Sequence, residues 1–274
     1  MVIDSTARKC SGMLAVLVAS SVVACTKSEA KPEPAPAASS LAPSVAPKAA
    51  GSYSLSLDAK GKAAIDMEAP KEHIKGQTST VEGRIDVTPS NLSATRGEVK
   101  VDLTSLVLST FGDASKDGTQ TAHAKTWLEV ADAENAKLAE DVKAKNRMAV
   151  FAIRSIDGLA ENDLAKVTPV SAAGEDSRTV DLIAHGELLV HGRRVPKDVS
   201  LRVRFVHPAG APAIERPTVV TVATREPFKV TLAEHEVAPR DDVGQIAKKA
   251  FSILGTKVAE TAKVTLDFSA RPNP

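Results

Sequence analysis

Leu201-Arg202-Val203-Arg204-Phe205-Val206 places a bulky apolar side chain at alternate positions, with arginine between them. Successive side chains on an extended strand point to opposite faces, so this segment has one dry side and one wet side. The same period of two runs through Glu98-Val99-Lys100-Val101-Asp102-Leu103, Phe228-Lys229-Val230-Thr231-Leu232 and Val264-Thr265-Leu266-Asp267-Phe268. Strands also fit residues 80–87, 149–156 and 179–190. His191-Gly192-Arg193-Arg194-Val195-Pro196 reads as a turn between two strands, with Gly192 able to adopt a positive φ. One wet face per strand is the mark of antiparallel sheet. Seven or eight strands are expected between Tyr53 and Ala270, giving an all-β domain. Chains of this kind form sandwiches or barrels, and closure into a barrel removes exposed strand edges.

Two segments depart from the strand pattern. Residues 121–146 carry Trp127, Leu128, Val130, Leu138 and Val142 among Ala, Glu and Lys, a composition that favours helix. Residues 241–254 space Val243, Ile246, Ala247, Ala250, Phe251 and Leu254 at helical intervals, with Asp241 or Asp242 as cap and Gly255 as stop. Both helices are expected to cover an end or wall of the sheet. The Ala/Gly/Pro-rich stretch 208–217 reads as a loop.

The beginning of the chain has a different character. Arg8 and Lys9 precede the uncharged, mostly apolar run 11–23, and small residues then lead to Cys25. That order is a secretory leader, and the run is short of the roughly 20 residues that span a bilayer. Val22-Val23-Ala24-Cys25 resembles a bacterial lipobox, which implies cleavage before Cys25 and lipidation of its thiol. Residues 1–24 are thus read as a lipoprotein signal peptide and 25–50 as lipidated cysteine plus linker. The linker holds Pro32, Pro34, Pro36, Pro43 and Pro47 among Ala and Ser, too little apolar surface to fold. Residues 51–272 are the barrel domain. Thr26 after the cysteine, by the sorting convention of enterobacterial lipoproteins, favours the outer over the inner membrane. The expected location is the bacterial cell envelope, facing the periplasm.

Loss of the leader removes Asp4, Arg8 and Lys9 and takes the formal charge from +1 to zero. Such a balance offers no electrostatic case for nucleic acid. Cys10 leaves with the leader, so residues 51–274 contain no cysteine, hence no disulfide and no thiolate metal site or nucleophile. The domain must be stable through its core alone.

The order of several motifs resembles that of YceI-like proteins. Glu82-Gly83-Arg84-Ile85-Asp86-Val87-Thr88-Pro89, followed by Asp102-Leu103-Thr104-Ser105-Leu106, is similar to the first block of that family. Ala122-His123 with Trp127-Leu128-Glu129-Val130, and Met148-Ala149-Val150-Phe151, correspond to the next blocks. Ala184-His185-Gly186-Glu187-Leu188-Leu189-Val190-His191-Gly192, then Val195-Pro196, is similar to the family's Gly-Asp-Leu and His-Gly-Pro segment. Thr121 stands where the family has arginine, Arg147-Met148 where it has Tyr-Pro, and residues 131–145 look like an added helical segment. The resemblance covers about residues 53–271. It implies an antiparallel up-and-down, lipocalin-like β-barrel with a central apolar cavity for a long-chain lipid, a polyisoprenoid or a fatty-acid-like molecule.

The alternating strands supply an interior of the same kind. Val99, Val101, Leu103, Leu182, Leu188, Val190, Leu201, Val203, Phe205, Val230, Leu232, Val264, Leu266 and Phe268 are expected inside, and all but Val264 as ligand contacts if the barrel is hollow. Aliphatic walls suit a flexible hydrocarbon chain. Nothing points to chemistry. The six histidines form no zinc-binding pair, and His185 and His191, about 20 Å apart on a straight strand, cannot share a metal. His191 is expected to shape the turn or bond a backbone group. Glu234-His235-Glu236 reads as a polar strand end rather than a general-base pair. No catalytic residue, metal or cofactor is expected. Two alternatives stay open: a structural or interaction lipoprotein with a side-chain-filled barrel, and an enzyme whose residues converge from distant strands.

Overall fold

The computed structural model describes residues 51–69, 72–133, 136–238 and 259–273. The leader, Cys25, the linker and the helix expected over 241–254 lie outside these residues. No helix among the described residues is long and apolar enough to cross a membrane.

Among the described residues thirteen strands follow one another: β1 (Tyr53–Leu57), β2 (Lys62–Glu68), β3 (His73–Thr78), β4 (Val81–Val87), β5 (Arg96–Asp102), β6 (Val107–Leu108), β7 (Met148–Asp157), β8 (Val170–Ala172), β9 (Glu175–Val190), β10 (Arg193–Pro208), β11 (Val219–Thr224), β12 (Phe228–Thr231) and β13 (Thr261–Pro272). All pair antiparallel. β1 pairs β4 while β2 pairs β3, and β5 pairs β4 while β6 pairs β3. β11 and β12 both pair β13. Thus β1–β2, β3–β4, β5–β6 and β11–β12 are each one bent span. With β8 set aside as a short arm on β9, those four mergers reduce thirteen strands to eight spans. Each span neighbours the next in sequence, and β13 returns to β1 through Leu55↔Pro272 and Leu57↔Ala270. The fold is an antiparallel up-and-down β-barrel.

The alternation in sequence becomes alternation of burial. On β10, Leu201, Val203 and Phe205 face inward while Arg202 and Arg204 are exposed. The β9–β10 turn is tighter than expected. Only His191 and Gly192 form it, with φ of 50° and 75°, and Arg193 to Pro196 already belong to β10. Two consecutive positive φ values define the turn whose twist matches antiparallel strands.

The helical region also differs from expectation. One helix over 121–146 is replaced by α1 (Ala114–Trp127) and α2 (Glu140–Asn146). The Asp113 carboxylate accepts hydrogen bonds from the amides of Ser115 and Lys116, both 3.0 Å, so the helix starts there. It stops after Leu128 because Glu129 adopts φ 55° and Val130 turns back to donate to the Lys125 carbonyl. Within the segment expected as an added helix, the Asp132 carboxylate accepts from the Leu138 amide and from Lys143 of α2.

Candidate functional site

The barrel interior is divided along its axis. At one end, Leu55, Leu182, Val203 and Phe268 close around a void of about 60 Å³. At the other lies a chamber of about 630 Å³. Its wall is hydrocarbon from every side: Ile65 and Met67 on β2, Ile74 on β3, Ala149 on β7, Ala262 on β13 and Trp127 on α1.

Of the interior residues expected from the sequence, Val99, Val101, Leu103, Leu188, Val190, Val230, Leu232, Val264 and Leu266 line the chamber. Leu182, Leu201, Val203, Phe205 and Phe268 do not. They face inward but pack the closed end. Facing inward decides burial; depth along the strand decides which space a side chain meets. Val99, Phe151 and Leu266 border both spaces and form the partition between them. The β2 contribution was legible, since Ala63, Ile65 and Met67 alternate with polar or small residues. Phe151 carried no local signal of its position at the partition.

The mouth of the chamber is polar. Ser115, Lys116, Thr119, Gln120 and His123 line it along one face of α1, and Ser115, Lys116, Thr119 and His123 are exposed. Gln120 donates to Glu72 at 3.2 Å and accepts from the Thr110 hydroxyl at 2.6 Å, while the Thr121 hydroxyl accepts from the Leu108 amide at 2.9 Å. These bonds fasten the helix beside β3 and β6.

A buried histidine supports another part of the chamber wall. His235 is fully buried in a 3-10 turn (Ala233–His235), not at a strand end, and its Nδ1 lies 3.2 Å from the Arg193 carbonyl. Burial pulls its pKa below the ordinary histidine value, so it is neutral. Its own carbonyl lies 3.2 Å from Nδ1 of His191, whose Nε2 is 3.0 Å from Glu129. Glu234 and Glu236 are taken up by Lys197 and Arg193. This arrangement fixes Leu232 and Val237 against the chamber.

Asp102 anchors the wall between. It caps the turn at Leu103–Ser105 through the Thr104 amide and accepts two bonds from Arg147, at 2.6 and 3.0 Å. Burial opposes its ionisation, but the bonds from Arg147 and Thr104 outweigh that and hold its pKa below the ordinary carboxylate value. Arg147, one of the departures from the family pattern, therefore has a structural partner.

His185 lies on the outer face between Asp198 (2.6 Å) and Asp157 (2.8 Å), away from the chamber. Among the described residues, Asp66, Glu68 and His73 alone bring potential metal donors together, and they are already paired: His73 with Asp66 at 2.6 Å and Glu68 with Lys263 at 2.8 Å.

No protein-family model matches the chain, and no curated protein matches it. Several solved structures are similar to it. One is a polyisoprenoid binding domain from Saccharophagus degradans implicated in plant cell wall breakdown, 14% identical, covering 81% of this chain and 99% of that one with a TM-score of 0.45. BcnA of Burkholderia cenocepacia is 13% identical, with coverage of 78% and 98% and a TM-score of 0.43. The YceI protein of Campylobacter jejuni is 12% identical, with coverage of 73% and 85% and a TM-score of 0.34.

Proposed function

We propose that the barrel binds one long-chain apolar lipid, a polyisoprenoid or fatty-acid-like molecule, and does not transform it. The observation that carries this reading is the chamber of about 630 Å³ with hydrocarbon walls. Ligand pockets commonly measure about 300–1,000 Å³, and a barrel filled by its own side chains has no such space. The titratable groups that line the chamber, Glu72, Lys116 and His123, are all exposed at its mouth. A tail fits the body and a polar head fits the α1 face. We further propose that Cys25 is the lipidated first residue of the mature protein. The linker then holds the barrel off a bacterial membrane on the periplasmic side, with the outer membrane favoured by Thr26. Nucleic acid has no part in this reading.

Native mass spectrometry of the full chain, with organic extraction of what it carries, tests the binding. The expected result is a co-purifying apolar compound, or uptake of added lipid in a one-to-one ratio. If nothing co-purifies and added lipids do not bind, the carrier reading is wrong.

A further inference from the structure

We propose that Phe151, seated on Gly186, is a floor that limits the length of chain the barrel accepts; this rests on the lipid-binding reading. Phe151 lies on β7 between Val99 of β5 and Leu188 of β9. The inward row of β9 runs Leu182, Ala184, Gly186, Leu188, Val190, so glycine leaves a gap in a wall of side chains. The Phe151 ring fills it. A Cβ built on Gly186 would stand 2.4 Å from the Ala152 carbonyl oxygen and 2.7 and 2.8 Å from Cζ and Cε2 of that ring, closer than real Cβ atoms approach. Glycine is needed here both for the ring and for the close approach of the β7 backbone.

Phe151, Val99 and Leu266 border the spaces above and below. Above them is the chamber; below is a void of about 60 Å³, sealed by Leu182, Phe205 and Phe268. A chain entering past α1 therefore meets hydrocarbon until it reaches the ring and then has nowhere to go. Each methylene buried on the way strengthens binding about fourfold. That increment ends at the floor.

The test uses the full chain and a graded series of saturated fatty acids, from decanoic to docosanoic acid, with affinities measured by competition in native mass spectrometry. The wild type should gain about fourfold per methylene up to a break and then level or fall. Phe151→Ala should move the break to longer acids. Phe151→Leu should move it in the same direction by less, and serves if the alanine variant does not fold. A break at the same length in the wild type and the folded Phe151 variant, or no break at all, overturns the floor while leaving lipid binding intact. Failure of the wild type to bind any acid or any polyisoprenoid alcohol instead overturns the binding reading on which the floor rests.

Discussion

Replacing Ala262 with leucine discriminates a hollow barrel from a filled one by the sign of its effect. Ala262 lies on β13 opposite Val230, is 6% exposed and lines the chamber. Ala184 makes the matched control: it is fully buried on β9 opposite Val199 and borders the void of about 60 Å³. Leucine adds three carbon atoms at either position. At about 0.8 kcal/mol per carbon, complete burial of them would stabilise by about 2.4 kcal/mol. In a chamber wider than one side chain only part of that surface is covered, so the expected gain at Ala262 is about 1 kcal/mol. At Ala184 the same atoms enter filled space, where overpacking costs about 1–3 kcal/mol. The two variants should differ by about 2–4 kcal/mol, roughly 5–15 °C in Tm for a domain of this size. Urea unfolding of delipidated protein reads the difference directly, provided the m values agree. Ala262→Leu should also weaken lipid uptake, because its side chain occupies ligand space. If Ala262→Leu destabilises as much as Ala184→Leu, the chamber is ordinary packed interior and the reasoning fails.

Other outcomes follow from the polar groups. Asp102→Asn should cost about 2 kcal/mol in urea unfolding, from loss of hydrogen bonds to a charged group, and Arg147→Ala should destabilise in the same direction, by less because the guanidinium is exposed. Because the folded pKa of Asp102 is depressed, its contribution is present above the ordinary value of 3.8 and lost as pH falls through the folded value. Asp102→Asn should flatten the acid limb of the stability profile; an unchanged limb contradicts the assignment. His185 shows the opposite sign. Hydrogen bonds to Asp198 and Asp157 raise its pKa, so its contribution is complete below 6.5 and lost as pH rises through the folded value. The pair is partly exposed, so the loss should be at most about 1 kcal/mol, and Asp198→Asn should remove most of it. Cys25→Ala should release the protein from the membrane fraction, and retention there would count against a lipid anchor.

The legible parts of this fold are those whose cause is local. Residues 98–103, 201–206, 228–232 and 264–268 show their faces because side-chain direction on a strand needs no knowledge of neighbours. β11 is hidden in the sequence: Val219-Val220-Thr221-Val222 has apolar residues at consecutive positions, which blurs the period of two. The start of α1 turned on one carboxylate, Asp113, ahead of a polar stretch with Gly118 in it that reads poorly as helix. The site was half legible. Which residues face inward follows from alternation, but the depth at which the barrel becomes hollow depends on Phe151 from one strand lying over Gly186 of another. The family resemblance pointed to a cavity; it did not divide the interior. Nor did it foretell that Arg147 would bind Asp102, a partner 45 positions away.

β13 pairs with β1, β2, β11 and β12, two on each side. It is the last described strand, so the chain commits most of its sheet before the piece that joins both margins exists. Until Thr261–Pro272 arrives, the margins formed by β1–β2 and β11–β12 carry unpaired amides and carbonyls that can capture another copy. The pairing Leu55↔Pro272 spans nearly the whole domain, and contacts so distant in sequence form slowly. Closure is therefore expected to be the slow step, and a chain stopped short of Thr261 should sediment as aggregate rather than fold to a smaller barrel.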